Sequence, residues 1–154
     1  MNKHITESKL TSRFTFTIII FAAIFTFLVN QNAPKDSIHV RNNLSATALS
    51  TLHIDKWATW KKEPSTFIWQ FAELETIVVI KGEVFVTPDG ATQSIRIAQG
   101  DFATFAPGLR CTWRVTQAFE KQVLLADTPL ISLYWRAVFK AKAILRYAKV
   151  LLNF

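Results

Sequence analysis

Between residues 66 and 125 the sequence breaks into short runs of aromatic and β-branched residues: TFIWQFAE, TIVVI, EVFV, SIRIA, DFATF, CTWRV and KQVLL. Such residues suit a pleated, half-buried surface, and runs this short between turn signals read as strands rather than helices. Lys81-Gly82 and Pro88-Asp89-Gly90 supply the hairpin chemistry that joins them. The pattern predicts an all-β domain, a small antiparallel jelly-roll β-barrel. Closing the strands on themselves removes exposed edges and encloses an interior. A chain of 154 residues has room for one such domain with flanking segments. The boundaries read as a basic tail at 1–13, an apolar segment at 14–34, a polar linker at 35–51, the barrel at 52–130 and a basic helix at 131–154.

The formal charge of +7 suggests nucleic acid until it is divided along the chain. Residues 1–13 carry Lys3, Lys9 and Arg13 against Glu7, and residues 131–154 carry Arg136, Lys140, Lys142, Arg146 and Lys149 with no acid. Everything between is balanced. A groove that tracks phosphates needs its cations on the folded surface itself, so no nucleic acid is expected as a partner. The positive tails point instead to a membrane.

The stretch FTFTIIIFAAIFTFLV opens at Phe14 and closes at Val29 without a charge. It predicts a single-pass anchor, with the interfacial residues up to Pro34 completing a marginal span. Basic residues ahead of it place the N-terminus in the cytoplasm and the barrel on the opposite side. The alternative is a signal or transit segment, cleaved to give a secreted or organellar protein. The nearest small-x-small site, Ala46-Thr47-Ala48, lies far downstream, which favours the uncleaved form. At the other end, residues 133–152 place Leu133, Tyr134, Ala137, Val138, Ala141, Ile144, Leu145, Ala148, Leu151 and Leu152 on one helical sector and the cations opposite. Such a helix fits either a lipid interface or a protein surface.

Two segments, ETIVVIKGEVFVTPDG and IAQGDFATFAPGLRCTW, together with the lead-in KWATWKKEPSTFIWQF, resemble the cupin superfamily of RmlC-like jelly rolls. They are most similar to its short branch typified by the cupin domain of (S)-ureidoglycine aminohydrolase. The resemblance covers about half the chain. In that family the first motif holds two histidines and a glutamate, the glutamate standing seven residues before a glycine, and the second motif holds a third histidine. Glu75 and Gly82 match the end of the first motif, while Gly100 and Gly108 match the second. Trp69, Phe71 and Cys111 stand where the histidines would be. The chain's only histidines, His4, His39 and His53, lie outside both motifs.

A metal centre built from imidazoles and a carboxylate is therefore not expected, and no cofactor is assigned. Strand alternation puts Trp69, Phe71, Glu73 and Glu75 on one face of a single strand, and Cys111, Trp113 and Val115 on the matching face of another. The two faces predict an organic-ligand pocket formed by Trp57, Trp69, Phe71, Glu75, Cys111 and Trp113. The functional expectation is a membrane-anchored cupin without metal histidines, binding a small organic molecule or serving as an interaction module, with a homodimer as one form of it. The alternative is a cupin enzyme of the aminohydrolase-like type, a hydrolase or isomerase using Glu75 and Cys111 as catalytic candidates. Cys111 is the only cysteine, which excludes an intrachain disulfide.

Overall fold

The computed structural model describes residues 3–31, 37–126 and 128–152, with side chains from residue 16 onward. In chain order the elements are α1 (Lys3–Val29), β1 (Ile38–Arg41), α2 (Ala46–Thr51), β2 (Ala58–Lys62), β3 (Ser65–Gln70), β4 (Glu75–Lys81), β5 (Glu83–Pro88), β6 (Ile95–Ala98), β7 (Phe102–Phe105), β8 (Arg110–Val115), β9 (Phe119–Leu125) and α3 (Pro129–Leu152). A single 3-10 turn, Ile54–Lys56, precedes β2. The strands form two antiparallel sheets, ordered β1-β7-β4-β9-β2 and β3-β8-β5-β6. Consecutive strands often lie in different sheets, as jelly-roll connections require.

Each strand sends alternate side chains between the sheets. Ile77 and Val79 from β4, Val84 and Val86 from β5, Ile97, Ala103, Phe105, Trp113, Val115 and Phe119 form one buried cluster. Burying a side chain of this size contributes about 1.5–3 kcal/mol. The turn between β4 and β5 needs Gly82, whose φ is +81° and where a Cβ would lie 2.4 Å from the Ala118 carbonyl oxygen. Asp101 is buried as well and satisfied locally: its carboxylate accepts from the Ala98 N–H at 2.9 Å and the Asn43 N–H at 3.2 Å.

Several expectations change. The run from Phe67 to Val79 is not one strand. It stops at Gln70, crosses between the sheets and restarts at Glu75. Alternation therefore cannot be counted through the crossing, and Glu73 falls outside, half-exposed, with Arg136 3.9 Å away. The segment 35–51, read as linker, contains β1, which pairs with β7 from Ile38↔Phe105 to Arg41↔Phe102, and α2, capped by the Ser45 side chain.

The expected transmembrane helix is also corrected. α1 is helical, yet among the described residues no helix is long and apolar enough to cross a membrane. The apolar stretch 14–29 has sixteen residues, which at about 1.5 Å each reach roughly 24 Å against a hydrocarbon core of about 30 Å. Residues 32–34 of the expected span lie outside the described residues. The single-pass transmembrane localisation falls with it. The chain divides into two compact units, Asn32–Arg136 holding the sheets, and Met1–Gln31 with Ala137–Phe154. On α3, Val138, Phe139 and Ala141 are buried, whereas Leu133, Ile144, Leu151 and Leu152 of the expected apolar sector are exposed.

Candidate functional site

The centre of the sheet unit holds a charge pair. Lys121 lies mid-strand on β9, where alternation from Phe119 to Val123 turns it inward between two apolar neighbours. Its Nζ donates to Oε1 of Glu75 at 2.6 Å, and both side chains are almost fully buried, 4% and 7% exposed. Two indoles complete the ammonium's surroundings: Nζ lies 4.8 Å from the ring centroid of Trp60 on β2 and 4.5 Å from that of Trp113 on β8. A cation over an indole face is attracted by the ring quadrupole, most strongly when desolvated. Burial pushes the Lys121 pKa below its ordinary 10.5, while the Glu75 carboxylate pulls the other way.

Of the six pocket residues expected from sequence, four reach this interior fully buried: Phe71, Glu75, Cys111 and Trp113. Phe71 arrives by an unusual route. Its backbone bridges the two motifs, N–H to the Leu109 carbonyl at 2.9 Å and carbonyl from the Gly108 N–H at 2.8 Å, and its ring stacks on Phe105 with centroids 4.5 Å apart. Trp69 stands at the outer wall on edge strand β3 and is 37% exposed. Trp57 ends the 3-10 turn ahead of β2, and the β2 indole that lies against Lys121 is that of the partly buried Trp60.

The resulting space is small. Trp60, Phe67, Trp69, Trp113 and Lys121 surround a recess of about 140 Å³, too narrow to admit a water molecule. Sites for drug-sized ligands run to about 300–1,000 Å³. The aromatic contacts explain the closure: Trp60 meets Phe67, Trp69, Trp113 and Phe119 at centroid distances of 6.1–6.4 Å.

Cys111 is a poor nucleophile here. Burial, with smaller contributions from the Asp89 and Glu75 charges, pushes its thiol up from 9.0 to about 12, the Trp113 indole and Lys121 offsetting part of the rise. Near neutral pH it is a thiol, and the thiolate is the reactive form.

The residues do not fit the metal that cupins commonly carry. Trp69, Phe71 and Cys111 offer no imidazole, and the Glu75 oxygen is already engaged by an ammonium ion. Among the described residues no three His, Cys, Asp or Glu side chains gather as a metal would need. His39 is exposed on β1, and His53 is exposed in the left-handed conformation at φ +50°. The side chain of His4 lies outside the described residues.

Lys121 and Trp60 are the site residues that the sequence reading missed. The signal was present for the lysine: Phe119, Lys121 and Val123 alternate as an inward face, but a lysine at the head of KQVLL reads as the polar start of a strand.

Two facing antiparallel sheets, short turns at Gly82 and Gly108, and a buried site shared by β4, β8 and β9 define the class, a cupin. Residues 49–122 match the family model described as the EutQ-like cupin domain. A DUF861-family protein of known structure from Thermotoga maritima is 32% identical, with a TM-score of 0.55 over 58% of this chain and 99% of its own. The chain belongs to the EutQ-like (DUF861) cupin family. Other similar structures include a DUF861-family protein of unknown function from Pseudomonas syringae, 22% identical over 44% of this chain and 29% of its own, TM-score 0.41. The EutQ protein of Clostridium difficile is 15% identical over 59% of this chain and 70% of its own, TM-score 0.42. No curated protein matches.

Proposed function

We propose that this chain is a metal-independent cupin in which the Lys121 ammonium takes the place of a metal ion beside Glu75, and which acts as a binding module through its outer surface. One observation carries the reading: the 2.6 Å pair between Lys121 Nζ and Glu75 Oε1 at the centre of the sheets. The positive charge that a metal would bring is supplied by the chain itself, and the indoles of Trp60 and Trp113 fill the volume around it. A small organic ligand inside the sheets draws no support from a recess that excludes water. Catalysis by Glu75 and Cys111 draws little from a thiol raised to about 12. An aminohydrolase-like activity, implied by the original resemblance, would need metal ligands that the motif positions lack.

Elemental analysis of the purified full chain tests the reading. After dialysis against a chelator, the protein is expected to retain no stoichiometric Fe, Mn, Zn or Ni and to melt at an unchanged temperature. A metal retained one per chain, and lost in Glu75→Ala, would overturn it.

A further inference from the structure

A ligand-sized, largely apolar groove of the sheet unit lies outside the sandwich. Leu44, Ala48 and Leu52 recur at helical spacing along and just beyond α2, and with Phe102 of β7 they form the apolar floor of an open groove of about 480 Å³. Ser45, Thr47 and Thr51 lie along it, and two of their hydroxyls serve α2 itself: Ser45 Oγ accepts from the Ala48 N–H, and Thr51 Oγ1 donates to the Thr47 carbonyl. Arg41, at the end of β1, also lines the groove. Asp101, next to the groove residue Phe102, is engaged elsewhere, accepting from the Asn43 and Ala98 N–H groups. The Arg41 side chain is exposed and has no ion pair or hydrogen bond among the described residues.

We infer that this groove is a binding site for an amphipathic organic monoanion, a carboxylate with an unbranched or aromatic apolar body. The apolar floor takes the body and the Arg41 guanidinium takes the carboxylate. A binding site is typically an apolar concavity with a few placed polar groups, and the groove has that anatomy at the right size. The charge decides the class. A free guanidinium is a planar fork that matches a carboxylate bidentately, and no acidic residue lines the groove to receive an amine. The inference rests on the outer-surface reading above and gives that surface a site and a ligand chemistry.

Backbone amide NMR of the full chain, titrated with octanoate, octanol and octylammonium in turn, tests it. Octanoate is expected to shift amides of residues 41–52 and 102–104 saturably, octanol more weakly, and octylammonium least. Arg41→Gln is expected to weaken octanoate by about tenfold or more, since hydrogen bonds to a charged group are stronger than those between neutral groups, while leaving octanol unchanged. Arg41→Lys should recover part of the affinity. Equal shifts from octanoate and octylammonium, octanoate shifts unaffected by Arg41→Gln, or no saturable binding in the groove would each overturn the site. Shifts concentrated instead at Trp60, Trp113 and Lys121 would overturn the outer-surface reading as well, which separates the two failures.

Discussion

Lys121 is the residue on which the site depends, and its buried charge has a measurable pH signature. Its folded pKa lies below 10.5, so between the folded value and 10.5 the unfolded chain holds more proton, and stability rises with pH through that window. Cys111 acts oppositely. Its folded pKa is raised from 9.0 to about 12, so the stability it contributes is complete below about pH 9 and is lost as pH climbs toward the folded value. Between pH 9 and 10.5 the two groups pull against each other, each by up to about 1.4 kcal/mol per pH unit, and above 10.5 only Cys111 still acts. Urea melts across this range are expected to show Cys111→Ala gaining stability with pH relative to the parent, and Lys121→Met losing it. Identical slopes for the three proteins would mean that neither group is buried as described.

At the scale of elements, the joint between the second motif and α3 is the most demanding. Gly108 has φ +88°, and a Cβ there would stand 2.4 Å from the Trp135 ring on the first turns of α3. Gly90 has nearly the same φ, +81°, but nothing within 4 Å. Gly90→Ala should cost only the backbone term, about 1 kcal/mol, whereas Gly108→Ala should cost about 2–4 kcal/mol once the displaced indole is included. Chemical denaturation of the two variants gives the comparison, and equal losses would contradict the close approach of Trp135. Strands were readable from sequence because turn residues and period-2 alternation are local signals. The crossing at residues 71–74 was not, because Phe71 and Glu75 keep the same parity on either side of a break that switches sheets. Parity therefore placed both residues inside correctly and placed Glu73 there wrongly.

For the whole molecule, the sequence carried the cupin assignment and the missing histidines, because motif glycines and ligand positions are matters of spacing. It did not carry what filled the vacated centre. Lys121 stands 46 residues after Glu75, and no local pattern joins a glutamate on β4 to a lysine on β9. Only the pairing of β4 with β9, from Glu75↔Leu125 to Val79↔Lys121, puts them on neighbouring strands. Nor did apolar length alone decide the fate of α1, where sixteen apolar residues with an uncharged flank suggested a span that no helix among the described residues has the length and apolarity to make.

A buried pair of this kind is costly to desolvate, and removing one member leaves the other uncompensated, at about 3–5 kcal/mol. The most direct measurement of the central claim is a double-mutant cycle of Glu75→Gln and Lys121→Met in urea. Each single variant is expected to lose about 3–5 kcal/mol, and the double variant far less than their sum, with a coupling of about 2–3 kcal/mol. Losses that add to within about 0.5 kcal/mol would contradict an internal ammonium held by Glu75 in the place of a metal.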